Sequence, residues 1–202
     1  ADDVIGTLAK QAEKRGIITY MMTPDKDYGQ LVSDTTFIYR PKYGDKEFEV
    51  MGVERVKEKF GISSTGQVID LLGLMGDSSD NIPGCPGVGE KTAQKLIAQF
   101  GSIESMLERT GELKGALKNK VEENREKILF SKFLATIKTD VPIELNMESL
   151  KREPVNEEEL SRLFDFYELR ALKERVKKSN TAPSLFDEIE TAGSVEKTSE
   201  KK

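Results

Sequence analysis

The sequence contains no histidine, and that absence excludes more chemistry than any other feature of its composition. Ser-His-Asp triads, Cys-His nucleophile pairs and HExxH metal sites all need an imidazole, so none of them can be built. A single cysteine, Cys85, rules out an internal disulfide framework. With neither a second thiol nor an imidazole to share a metal, it cannot form the usual zinc site either, and we expect it to be a small buried apolar group. No apolar run reaches the roughly 20 residues that cross a bilayer, and no signal-peptide pattern precedes the first helical segment. A cytoplasmic protein without a membrane partner is expected. An excess of positive charge is also missing: 36 acidic residues against 31 basic ones give a net charge of −5, which argues against a chain coated for nucleic acid. A local basic face stays compatible with that balance. Catalysis, if there is any, must rest on carboxylates, lysines, hydroxyls or a metal held by oxygen.

At 202 residues and 37% hydrophobic, the chain can bury one ordinary core, with room for a smaller helical appendage. It opens on "ADDVIGTLAK", without an initiator Met and already within a helical pattern, so a fragment of a longer protein is expected. Residues 2–15 place Val4, Ile5, Leu8 and Ala12 at helical spacing, with Asp2 and Asp3 in the first turn and Gly16 at the end. "IITYMM" reads as a buried strand closed by "TPDKD", and "FIYR" with "KEFEVM" reads as an edge hairpin around "PKYGD". Helix, strand and acidic loop in that order predict α/β with a partial parallel sheet. From about Val53 the pattern turns helical: "VERVKEKF", "GQVIDLLGLM", "EKTAQKLIAQF", "SIESMLE" and a long helix from about Lys118 to Thr139. "VPIEL" is a candidate returning strand, and "NEEELSRLFDFYELRALKERVKK" one or two closing helices. The expected organisation is residues 1–52 as an α/β core, 53–142 as a helical region, 143–178 as a return to the core, and 179–202 as a disordered linker.

Three acid pairs stand out: Asp2 with Asp3, Asp25 with Asp27, and Asp77 with Asp80. Each has a plain structural alternative as a helix cap or a turn residue. If the strand stays extended through "DKD", Asp25 and Asp27 project to one face, and a helical turn would do the same for Asp77 and Asp80. In open α/β sheets ligands bind beyond the carboxyl ends of the strands, where "TPDKD" falls. Carboxylates gathered without His or Cys select hard ions such as Mg²⁺ or Mn²⁺, and two such ions suffice for phosphodiester hydrolysis.

The segment "IPGCPGVGEKTAQKLI" has another logic. Gly84, Gly87 and Gly89 permit tight turns and close approach, and Pro83 and Pro86 fix φ between them. A helix opening near Glu90 offers unpaired N–H groups to a phosphate, with Lys91, Thr92 and Lys95 on its first turns. Ile82, Val88, Ala93, Leu96 and Ile97 keep the register of a helix-hairpin-helix, which holds a nucleic-acid backbone and reads no bases. The structural alternative is a packed helical corner.

"ADDVIGTLA", "DKDYGQLV", "LMGDSSDNIPGCPGVGEKTAQKLI" and "LATIKTDVPIEL" together resemble the 5′-nuclease domains of bacterial DNA polymerases I, in the flap endonuclease superfamily. The resemblance runs in order from residue 1 to about residue 176. It implies an α/β core with a helical DNA-binding extension, hydrolysis of 5′ flaps and RNA primers on duplex DNA, and Mg²⁺ or Mn²⁺ as cofactor, two ions in the intact domain. It also implies that Asp2, Asp3, Asp25, Asp27, Asp77 and Asp80 are metal-site acids, and that Gly84, Gly87, Val88, Gly89, Lys91, Thr92 and Lys95 grip the duplex. The family pattern includes upstream acids, a first strand and a basic arch that this chain does not carry. A fragment that binds DNA without cleaving it is therefore expected. "PSLFDEI" resembles sliding-clamp docking peptides, with Leu185 and Phe186 as anchors, although the usual leading glutamine is absent and a chance apolar pair would look the same.

Two further readings stay open beside the nuclease. A non-catalytic helix-hairpin-helix DNA-binding module would gain nothing from six aspartates near a phosphate site. A Mg²⁺-dependent phosphatase would leave the glycine hairpin unexplained.

Overall fold

A computed structural model describes residues 1–41 and 48–179. The chain divides into two compact units, Ala1–Asn146 and Met147–Lys202. Residues 42–47 of the expected hairpin turn, the linker from residue 180, and Leu185 and Phe186 lie outside the described residues.

The first unit begins with α1 (Asp2–Lys14), whose acidic first turn and basic last turn match the helix dipole, and Gly16 at φ 69° ends it. Strand β1 (Thr19–Met22) pairs in parallel with β2 (Thr36–Pro41), Thr19 opposite Thr36, and β2 pairs antiparallel with β3 (Phe48–Met51). The sheet is thus small and mixed, in the order β1-β2-β3. Six helices follow: α2 (Val53–Phe60), α3 (Val68–Met75), α4 (Glu90–Phe100), α5 (Ile103–Glu108), α6 (Gly115–Glu123) and α7 (Arg125–Ala135).

Helix α3 is the centre of this unit because it is apolar apart from the buried Asp70, and Val68, Leu71, Leu72 and Leu74 are fully buried. Each such side chain stabilises the fold by roughly 1.5–3 kcal/mol relative to exposure. Gly73 sets how close α7 can come, since a Cβ there would stand 2.9 Å from Lys132 Cα and from Ile103 Cδ1. One apolar core runs from Met21 and Ile38 of the sheet, through α3, to Val121 and Ile128 of the helical region.

Two elements differ from the expectation. Residues 118–139 do not form one helix; α6 and α7 are separated at Asn124, whose amide nitrogen donates to Lys120 O at 2.8 Å. Residues 141–145 form no strand. Their backbone groups are taken by side chains of α1: Gln11 donates to Ile143 O at 2.7 Å and accepts from Leu145 N at 2.8 Å, Thr7 Oγ1 accepts from Val141 N at 3.2 Å, and Arg15 donates to Leu145 O at 2.8 Å. A segment satisfied in this way needs no sheet partner.

The second unit holds α8 (Glu157–Phe166), capped by the Asn156 side chain, which accepts from Glu159 N at 3.0 Å, and α9 (Arg170–Ser179).

Candidate functional site

The acids of "TPDKD" do not continue β1. Asp25 N donates to Thr23 Oγ1 at 3.1 Å and Asp27 N donates to Asp25 Oδ1 at 3.0 Å, so the two side chains capture the backbone into a turn. Lys26 is already in the right-handed helical region, and Asp27 opens a 3-10 turn, Asp27–Leu31. This turns Asp27 toward the loop that follows α3. There Gly76 leaves the helix at φ 72°, and Asp77 and Ile82 exchange two backbone bonds of 2.9 and 2.7 Å that close residues 77–82 into a loop. Asn81, at φ 57°, completes it. Loop closure, and not a helical turn, brings Asp77 and Asp80 together. One carboxylate oxygen from each of Asp27, Asp77 and Asp80 lies within 4.8 Å of the other two.

Asp77 is buried, with Oδ1 accepting Ser79 N at 2.8 Å and Oδ2 paired with Lys26 Nζ at 2.5 Å. The Lys26 ammonium holds the Asp77 carboxyl below the usual range, and Asp77 in turn raises the lysine. Asp27 moves the other way: burial first, then the charges of Asp25 and Asp77, push it up to about 6. Its Oδ1 is buried and has no hydrogen-bond partner among the described residues. Three converging carboxylates, one of which carries a buried and unpartnered oxygen, are a donor set of hard oxygens suited to a divalent cation.

The remaining candidate acids are placed differently. Asp25 braces the turn through Asp27 N. Asp2 accepts from Tyr28 Oη at 2.9 Å, and the buried Tyr28 phenol is pushed up to about 12, by burial first and then by Asp2. Asp3 accepts from Lys138 N at 2.8 Å. Among the described residues the trio comprises Asp27, Asp77 and Asp80 alone.

The hairpin is fastened to the same helix end as the acid loop. Cys85 N donates to Leu74 O at 2.7 Å, and Gly84 N donates to the fully buried Ser131 Oγ at 3.0 Å, which itself donates to Lys127 O at 2.7 Å. Gly84 sits at φ 62°, and a Cβ there would come within 2.4 Å of Gly76 N, so the crossing of these two backbones requires glycine at both positions. Val88 and Cys85 are buried beneath the turn, and burial pushes the Cys85 thiol up. Gly89 is the N-cap of α4, whose first N–H groups have no intrahelical partner. Lys91 and Lys95 are exposed on α4, and Thr92 is half-buried.

Two residues of this face were not singled out in the sequence. Lys120 Nζ lies 2.6 Å from where a Gly87 Cβ would stand, which brings a cation of α6 onto the hairpin. Ser131 holds the hairpin from α7. Neither carries a local signal, because both reach the turn from remote helices.

A small α/β sheet with a carboxylate trio past its first strand, continued into a helix-hairpin-helix, is the architecture of a 5′-nuclease-type domain. Two family descriptions match in succession: 5′-3′ exonuclease, N-terminal resolvase-like domain, over residues 1–61, and 5′-3′ exonuclease, C-terminal SAM fold, over residues 63–158. The chain belongs to this 5′-3′ exonuclease family. It is 48% identical over 177 residues to DNA polymerase I of Bacillus subtilis, covering 87% of this chain and 20% of that protein. It is 37% identical over 196 residues to DNA polymerase I of Mycobacterium bovis, covering 97% of this chain and 21% of that one. The chain therefore spans about a fifth of the length of these relatives. A T5 5′-exonuclease mutant superposes with TM-score 0.60 at 21% identity, over 69% of this chain and 56% of its own. The T5 flap endonuclease in a pseudo-enzyme–product complex with DNA and metal ions gives 0.60 at 20% identity, over 68% and 50%. The same fold is recorded for T5 5′-exonuclease with bound zinc, at TM-score 0.59 and 20% identity over 66% and 48%. No helix among the described residues is long and apolar enough to cross a membrane.

Proposed function

We propose that this chain supplies the metal-holding acids and the duplex grip of a 5′-3′ exonuclease and flap endonuclease that hydrolyses phosphodiesters at 5′ ends, flaps and primer RNA, as one domain of a DNA polymerase I. The observation that carries this reading is the convergence of Asp27, Asp77 and Asp80 within 4.8 Å, with one Asp27 oxygen buried and unpartnered. These three residues would hold Mg²⁺ or Mn²⁺, with Asp2, Asp3 and Asp25 contributing to a second ion or through water. A divalent ion so held supplies Lewis-acid stabilisation of the charge that develops on a phosphodiester oxygen. The chain's own part is to position and to grip. Residues 84–89 present backbone to one strand of the duplex, and Lys91, Lys95 and Lys120 neutralise its phosphates with Thr92 beside them. The acid loop leaves the C-terminal end of α3 and the hairpin is fastened back to the same end through Cys85 N and Leu74 O, so α3 would hold the cut and the grip at one spacing. A sliding clamp docking at Leu185 and Phe186 is a further proposed partner, and the intact protein is proposed to be cytoplasmic.

The test uses this chain for binding and the full-length polymerase for cleavage. Flap cleavage in Mg²⁺ or Mn²⁺ should be lost on Asp77→Asn with Asp80→Asn, while duplex binding by the chain persists. Cleavage that survives the double substitution would overturn the metal-site reading. Lys91→Ala with Lys95→Ala should weaken duplex binding and reduce its salt slope by roughly one to two, at about 0.9 per phosphate contact. If the chain holds duplex while the full-length polymerase cleaves no flap in Mg²⁺ or Mn²⁺, the non-catalytic binding module replaces the nuclease.

A further inference from the structure

Asp77 is the most enclosed acid of the trio, and both of its oxygens are already engaged. Oδ1 accepts the Ser79 N–H at 2.8 Å, and Oδ2 is paired with the Lys26 ammonium at 2.5 Å. Lys26 lies in the chain between Asp25 and Asp27, its side chain is 37% exposed, and its ion-pair partner among the described residues is Asp77. The protein thus places one cation of its own inside a cluster of carboxylates, on Oδ2 of the buried member. Two cations on one carboxylate oxygen repel each other strongly at that separation. A lysine is suited to give way, because its charge is a compact point on a flexible four-carbon stem, and the Lys26 side chain is partly exposed.

We propose that Lys26 is the resident counter-ion of the acid trio: its ammonium occupies Asp77 Oδ2 in the cation-free protein, a divalent ion displaces it on entry, and Lys26 thereby sets the affinity of the centre. The inference rests on the reading that Asp27, Asp77 and Asp80 hold a cation. It explains how three carboxylates can be assembled before any ion arrives. In the cation-free state Lys26 compensates part of their repulsion, and on loading it swings into solvent, so assembly is gained at the expense of affinity.

The experiment titrates Mn²⁺ by calorimetry, near neutral pH, into the wild-type chain and into Lys26→Gln, Lys26→Arg and the double variant Asp77→Asn with Asp80→Asn. Thermal unfolding is followed in EDTA and in Mn²⁺. Lys26→Gln should bind Mn²⁺ at least about tenfold more tightly, about 1.4 kcal/mol. It should melt below wild type in EDTA and gain more on Mn²⁺ addition. Lys26→Arg, which keeps the charge, should bind as weakly as wild type. Should the glutamine variant lose its fold in EDTA, Lys26→Met, which keeps the aliphatic stem, is titrated after refolding in Mn²⁺, with the same expectation. Binding by Lys26→Gln where wild type shows none also supports the proposal. Equal or weaker Mn²⁺ affinity in Lys26→Gln and Lys26→Met, with wild-type binding abolished in the double aspartate variant, overturns the role of Lys26 and leaves the metal centre standing. Binding that survives the double variant, or no binding by any of the proteins, overturns both.

Discussion

Asp27 is the carboxylate whose ionisation the fold opposes, and its replacement by Asn has a calculable consequence. The carboxyl is raised in the folded protein from an ordinary 3.8 to about 6, with burial as the main cause and the Asp25 and Asp77 charges next. The folded state therefore holds the Asp27 proton more tightly than the unfolded one. Its contribution to stability is fully present below pH 3.8 and is lost as pH rises through about 6. At full strength the loss is about 3 kcal/mol, and solvent screening of this half-buried group brings it to about 1–2 kcal/mol. Asp27→Asn avoids the loss, and its amide can donate to the carboxylates of Asp77 or Asp80. In EDTA near neutral pH the variant should thus be more stable than wild type by about 1–2 kcal/mol, or about 2–8 °C in Tm for a domain of this size. The gain should vanish towards pH 4. Urea denaturation followed by far-ultraviolet circular dichroism across that range measures it directly. In saturating Mn²⁺ the order should reverse, because wild type alone gains binding free energy. A variant less stable than wild type in EDTA near neutral pH, or a difference that does not vary with pH, would refute the electrostatic reasoning about this centre.

Four further substitutions probe how the site is held. Ser131→Ala strips the buried Gly84 N–H of its acceptor and should cost about 1–3 kcal/mol in urea denaturation, with weaker duplex binding by the loosened hairpin. Gly84→Ala forces a side chain into a left-handed conformation, about 1–2 kcal/mol, and onto Gly76 N at 2.4 Å; the Cys85 amide should then exchange with solvent much faster than in wild type. Lys132→Met removes the ammonium paired at 2.6 Å with the buried Asp70, which also caps α5 through Ile103 N, and should destabilise by about 3–5 kcal/mol in a melt; a loss under about 1 kcal/mol would show that the pair is not buried as described. Gln11→Ala releases Ile143 O and Leu145 N together, at about 1–2 kcal/mol, and residues 141–145 should become a site of limited proteolysis that wild type resists.

Much of the fold was written in local pattern. The helical spacing of α1 through α5, the apolar run of β1 and the pairing of β2 with β3 are short-range signals, and the elements form close to where they are expected. β1 is shorter than "IITYMM" and is not the buried strand expected, since Met21 is buried while Ile18 and Met22 are exposed, and Val4 and Ile5 of α1 are exposed too. The helix-hairpin-helix was legible for the same reason, since glycines at fixed offsets and a buried face at Val88, Ala93, Leu96 and Ile97 are both local properties. The absence of histidine narrows the available chemistry to carboxylates, lysines, hydroxyls or a metal held by oxygen. What local pattern could not decide was which backbone groups would be taken by side chains. "DKD" could extend the strand or turn after it, and the turn forms because Thr23 and Asp25 capture the N–H groups of Asp25 and Asp27. "VPIEL" has the composition of a strand, yet Thr7, Gln11 and Arg15 satisfy its backbone from α1 and no strand forms. Ser131 and Lys120 reach the hairpin from α7 and α6, and Lys26 meets Asp77 only because the 3-10 turn after β1 and the closed loop after α3 come together. Periodicity is a property of neighbours in the chain, so the sequence alone determined the elements and the kinds of donor. Proximity between donors depends on hydrogen bonds and packing between distant segments, and the tertiary structure alone decided which carboxylates meet and which lysine stands among them.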